Sequence, residues 1–169
     1  MSQASILIAG IGNIFLGDDA FGCEVVKELS RRELPDNLRV VDFGIRGFDL
    51  AYAMLDEPDL TIFIDAAPRG NAPGTLYTIE PDLSELESFE GDVALETHGM
   101  NPMKVLQMVK SMGGHFKKVL LVACEPETFG PEEGLFELSA VVQAAVPEAA
   151  KIVECLVNEH LKQSIEVVA

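Results

Sequence analysis

Short apolar runs alternate along the chain with segments of helical period, and this alternation carries most of the fold information. Residues 5–9 are an apolar run ending at Gly10 and Gly12, and Asp18 or Asp19 then opens a segment with helical periodicity over residues 20–32. Residues 38–41 read as a second strand and 47–55 as a helix. Residues 60–64 read as a third strand, whose continuous hydrophobicity suggests burial on both faces. A further strand is expected over 74–79. The acidic, poorly periodic stretch 80–97 is assigned to loop with one short turn. Residues 102–112 form a helix closed by Gly113 and Gly114, and 118–123 form a last buried strand. Residues 139–161 form a long terminal helix that Pro147 should interrupt. Strand, helix, strand in succession implies a parallel α/β sheet.

Composition narrows the picture. A length of 169 residues, 48% of them hydrophobic, fits one domain spanning 1–169 with a true core. The formal net charge of −16 speaks against nucleic acid as a partner, because phosphate binding needs clustered cations, and equally against an anionic membrane. Cys23, Cys124 and Cys155 are odd in number and contain no CxxC pair, so they suggest neither a disulfide framework nor a thiolate zinc site, and a reducing cytoplasm fits best. The opening residues lack a basic leader region, and their apolar run is too short to span a bilayer. They read as a first strand, with nothing directing export.

In open α/β sheets, ligands bind beyond the carboxyl ends of the strands where the winding reverses, and the first and third strands often flank that crevice. The loop Gly12-Asn13-Ile14-Phe15-Leu16-Gly17-Asp18-Asp19 would then lie beside Asp65, which closes the apolar run Thr61-Ile62-Phe63-Ile64. Carboxylates facing each other are plausible ligands for a divalent metal, and one imidazole would favour nickel or zinc. His98, in Thr97-His98-Gly99-Met100-Asn101-Pro102 just before a helix, is the best placed of the three histidines. Ordinary structural roles compete with these readings. Asp18 reads first as a helix N-cap and Asp19 as a first-turn acid favoured by the helix dipole, whereas a carboxylate ending a buried strand, such as Asp65, has the weakest purely structural explanation. Gly10-Ile11-Gly12 fails the GxGxxG spacing because the next glycine is Gly17, so these glycines are read as permitting a tight turn and close packing.

Taken together, Gly10-Ile11-Gly12-Asn13, Asp18-Asp19 and Gly22 resemble the N-terminal signature of the hydrogenase maturation proteases, G-x-G-N-x-x-x-x-D-[DE]-x-x-G. The resemblance continues at Asp42-Phe43-Gly44, Ile64-Asp65-Ala66 and Thr97-His98-Gly99, in order along nearly the whole chain. It implies a three-layer α/β/α sandwich, phosphorylase/hydrolase-like, with a mixed, mostly parallel five-stranded sheet. It implies a metal-binding triad, which falls here on Asp19, Asp65 and His98. It also implies an endopeptidase that removes the C-terminal extension of a [NiFe] hydrogenase large-subunit precursor after nickel insertion. Phe43 departs from the small residue common at its position, which leaves the choice of precursor open, and Arg46 beyond it could offer a cation to the substrate.

On this reading the nickel comes with the precursor and no permanent cofactor is needed, so nickel acts as a checkpoint. The protein is expected to act as a cytoplasmic monomer. Three protein ligands leave room for substrate thiolates or water, and either a polarised water or a polarised carbonyl could carry hydrolysis. Cys23 and Cys124 read as core residues rather than nucleophiles, and an Asp19–Asp65 dyad sharing a proton is a further possibility. From a different class, a noncatalytic α/β module binding a nucleotide or metal could use the same crevice.

Overall fold

The structure, a computed structural model, describes residues 3–87 and 100–168. The strands are β1 (Ile6–Ile11), β2 (Leu38–Gly44), β3 (Leu60–Ala66), β4 (Leu76–Ile79) and β5 (Lys118–Cys124). The helices are α1 (Phe21–Ser30), α2 (Gly47–Met54), α3 (Pro102–Ser111) and α4 (Ala140–Val168). Hydrogen bonding orders the sheet β2-β1-β3-β5-β4. β1 runs parallel to β2 and β3, and β3 runs parallel to β5, while β4 is antiparallel to β5. The chain leaves β1 for β2 on one side and returns to β3 on the other, so the winding reverses between β1 and β3.

Side-chain alternation distributes the apolar residues between two cores. On β1, Ile6 and Ile8 face a cluster shared with Phe21, Val25 and Leu29 of α1 and with Val146, Ala149, Ala150 and Val153 of α4. Leu7, Ala9 and Ile11 face the opposite cluster, with Leu50 and Met54 of α2 and Val105, Leu106 and Val109 of α3. The result is three layers, with α1 and α4 on one face and α2 and α3 on the other. On β3, Leu60, Ile62 and Ile64 point to the α1–α4 side and Phe63 to the α2–α3 side. Asp65 shares the parity of Phe63, so its carboxylate faces the layer that contains the start of α3.

The strands run further than the apolar runs suggested, because backbone pairing continues past them. β1 includes Gly10 and Ile11, which pair with Asp42 and Gly44 across a register shift, and β3 includes Asp65, which sits opposite Ala123. The terminal helix differs from expectation more plainly: α4 is one helix from Ala140 to Val168 with Pro147 inside it. Loss of one backbone hydrogen bond is outweighed because Val146, Ala149, Ala150 and Val153, on both sides of the proline, are buried in one core. Of the acidic stretch, Leu83–Glu87 forms a short 3-10 turn, and residues 88–97 lie outside those described. Among the described residues, no helix is long and apolar enough to cross a membrane.

Glycines set the approach of α1 to the strand ends. A Cβ on Gly22 would lie 2.1 Å from the Ile64 carbonyl oxygen and 2.4 Å from that of Ile11. Gly10 meets Gly22 in the same way, at 2.6 Å from its oxygen. The motif glycines therefore bring α1 against the ends of β1 and β3, where the winding reverses.

Candidate active site

Asp19 reaches the site from a 3-10 turn, Gly17–Ala20, that precedes α1. Its carboxylate accepts the backbone N–H of Asn13 at 2.8 Å, which folds the β1–α1 loop back on itself. Asp65 arrives from the end of β3, 8% exposed. Among the described residues, the one hydrogen bond its carboxylate accepts is from the N–H of Ala66, at 2.9 Å. Both acids line a cleft of about 740 Å³, whose walls include Ile79 at the end of β4, Pro81 just after it, Met103 at the start of α3, Leu121 of β5 and Phe129 of the β5–α4 loop. Asn101 caps α3, its side chain accepting the Met103 N–H at 2.9 Å, with Pro102 in the first turn. A far smaller cavity of about 80 Å³, walled by Leu29, Leu34 and Val157, lies away from both acids.

Burial pushes the Asp65 carboxyl well above the usual carboxylate range, and the charge of Asp19 pushes it the same way against the Ala66 N–H. Burial raises Asp19 too, opposed by the Asn13 N–H. Two desolvated acids thus share one cleft, whose lining also includes Lys104. Such a pair gains most from binding a proton or a metal ion.

Glu125 follows β5 directly, as Asp65 lies at the carboxyl end of β3, yet its environment is the reverse. It is buried, and its carboxylate accepts the N–H groups of Arg69 and Gly70, at 2.8 and 3.0 Å, and the Tyr77 hydroxyl at 2.8 Å. Burial would raise its pKa, but the Tyr77 hydroxyl and the surrounding N–H groups outweigh that and hold it below the usual value. The same sequence signal thus marks an acid surrounded by donors at 125 and one with a single hydrogen bond among the described residues at 65.

Asp18 departs from its expected role as an N-cap. No side chain caps either the 3-10 turn or α1. The Asp18 carboxylate, fully buried, instead accepts the N–H groups of Glu127 and Thr128, at 2.8 and 3.1 Å, and both the N–H and hydroxyl of Ser139, at 2.7 and 2.9 Å. Arg46 is also engaged locally, donating to the Asp42 carbonyl at 2.6 Å and to Asp49 at 3.2 Å, with its guanidinium 5.9 Å from the Phe43 ring centroid. His98, with Thr97 and Gly99, lies outside the described residues. Among the described residues, no three His, Cys, Asp or Glu side chains gather as a metal site. Phe129 and the positions after β4 were not legible as cleft residues, because nothing in their local spacing places them beside Asp65.

The thiols of Cys23 and Cys124 are buried and deactivated, whereas Cys155 is exposed. Burial, followed by Asp42 and Asp19, drives Cys23 far above the ordinary thiol value. Burial with Asp18 and Glu125 pushes Cys124 up to about 12.

A family model described as hydrogenase maturation protease matches residues 23–155, a span that includes Asp65 and begins just after Asp19. The chain belongs to the hydrogenase maturation protease family. It is 30% identical over 161 residues to the hydrogenase 2 maturation protease of Escherichia coli, covering 95% of this chain and 94% of that protein. In structure it resembles a hydrogenase maturating endopeptidase from E. coli, with a TM-score of 0.74, 30% identity and coverage of 92% and 93% of the two chains. It also resembles a [NiFe] hydrogenase maturation protease from Thermococcus kodakarensis, with a TM-score of 0.67, 28% identity and coverage of 94% and 93%. Membership makes this protein a peptidase and sets aside the noncatalytic module. For the maturation protease, alkylation gives a simple check: iodoacetamide treatment of the native protein, which can reach the exposed Cys155, should leave peptidase activity within about twofold, since the buried Cys23 and Cys124 hold almost no thiolate at neutral pH. Loss of activity on modification of Cys23 or Cys124, located by peptide mapping, would restore the cysteine route.

Proposed function

We propose that this protease removes the C-terminal extension of a [NiFe] hydrogenase large-subunit precursor, and that Asp19, Asp65 and His98 engage the nickel carried by that precursor. The observation that carries the reading is the contrast between Asp65 and Glu125: Asp65 is buried, accepts one hydrogen bond among the described residues, and lies beside a second acid in a cleft of about 740 Å³, an arrangement that a divalent cation would relieve. His98 would supply the nitrogen donor, from the segment leading into α3, whose first residues line the same cleft. Burial raises both carboxyls, so the empty site disfavours its own negative charge, and a cation delivered by the substrate would relieve it. Nickel would polarise the scissile carbonyl or a water, while the apolar walls at Ile79, Leu121 and Phe129 hold the peptide and exclude solvent.

Crystals soaked in millimolar nickel and measured at the nickel absorption edge test the ligand set. A single anomalous peak within about 2.0–2.3 Å of Asp19, Asp65 and His98 donor atoms is the expected result. A peak elsewhere, with none in this cleft, would overturn the assignment.

A further inference from the structure

The two candidate acids sit on loops that share one support. Asp18, next to Asp19, binds the N–H groups of Glu127 and Thr128, and its own N–H donates to the Thr128 carbonyl at 3.0 Å. The loop after Asp65 is fixed from the other side: the Ala67 N–H donates to the Cys124 carbonyl at 2.9 Å, and the Glu125 carboxylate gathers the N–H groups of Arg69 and Gly70. Residues 124–128 thus meet both acidic loops, although neither Asp18 nor Glu125 lines the cleft.

We infer that residues 124–128 are the common mount of the active site, with Asp18 and Glu125 as positioning residues that fix the spacing of Asp19 and Asp65. The inference rests on the reading of Asp19 and Asp65 as the reacting pair. A carboxylate suits both places because every group around it is a donor. Asp18 accepts four hydrogen bonds on its two oxygens, and Glu125 is surrounded by N–H groups and a hydroxyl. Bonds to an ionised acceptor are stronger and shorter than neutral ones, so they hold geometry more tightly. An amide in either position would turn a donor toward an N–H and break the set. The loop that Asp18 grips also carries Phe129, one residue past Thr128, so the same clamp sets one wall of the cleft.

The test measures kcat, KM and melting temperature for Asp18→Asn, Glu125→Gln and the double variant on the nickel-loaded precursor, well below each melting temperature. Misplacing reacting groups by about 1 Å costs on the order of 100-fold, so each single variant should lose roughly tenfold or more in kcat with KM within about threefold. The double variant should lose less than the product of the two, because both act on one mount. A purely stabilising role would lower the melting temperature and leave kcat of the folded protein unchanged, and that result would overturn the inference. Ser139→Ala and Tyr77→Phe, which each delete one donor to these carboxylates, keep the test open if the acid variants fail to fold. Each should lower kcat about two- to threefold, and wild-type kcat in both would overturn the inference. Asp19→Asn and Asp65→Asn are measured alongside. If these remain active, the site assignment itself fails; if they are inactive while the clamp variants match wild type, only the mount fails.

Discussion

Asp65→Asn should reduce processing by roughly 1,000-fold or more and, in the metal-free protein at neutral pH, raise the melting temperature. The two effects share one cause. Burial and the neighbouring Asp19 hold the Asp65 carboxyl above its ordinary value of 3.8, so the fold prefers the protonated form. A group raised in the folded state contributes its stability below pH 3.8, and that contribution is lost as pH rises through the folded value. At pH 7 the wild-type protein therefore carries a deficit. Asparagine has the same shape without the charge and avoids it, and each kcal/mol regained raises the melting temperature of a chain this size by about 2–4 °C. Calorimetry from pH 3.5 to 8 should show variant and wild type converging in acid and separating as pH rises. A variant less stable than wild type at pH 7 would show that the carboxylate is held by a partner and is not poised for one.

Gly12→Ala should be the most damaging change among the motif glycines. Gly12 has φ +144°, and a Cβ there would lie 1.7 Å from the Asp19 carbonyl oxygen, a distance no rotamer relieves because the obstruction is backbone. Relief requires moving the turn that carries Asp19, so stability and activity should fall together. The expected loss is about 3 kcal/mol or more in urea unfolding, at the upper end for overpacking. Gly70→Ala serves as the control: φ is +85° there, but nothing lies within 4 Å, so the cost should stay near the 1 kcal/mol or so of a strained backbone alone. Equal losses at the two positions would mean that close approach to Asp19 is not what Gly12 provides.

The layer arrangement and the position of the site were largely legible in the sequence because both follow from local pattern. Uninterrupted apolar runs gave the buried strands, the 3.6-residue period gave α1 and α3, and the acid closing the apolar run Thr61-Ile62-Phe63-Ile64 marked Asp65. Roles set by distant partners were not legible. Asp18 has an N-cap's position in sequence, but its hydrogen-bond partners lie 109 to 121 residues away. Glu125 carries the signal that marked Asp65, a carboxylate at the end of a buried strand, and only the N–H groups of Arg69 and Gly70, 56 and 55 residues away, separate the two cases. Pro147 shows the same limit, since the apolar face that holds α4 together across it is defined by the sheet beneath.

The central claim is that substrate-borne nickel is read by Asp19, Asp65 and His98 before the peptide bond is cut. Mass spectrometry of a cognate large-subunit precursor, nickel-loaded and nickel-free, after incubation with the wild-type protease tests it most directly. The account predicts loss of one C-terminal peptide from the loaded precursor and an intact nickel-free precursor. Equal cleavage of both would contradict it.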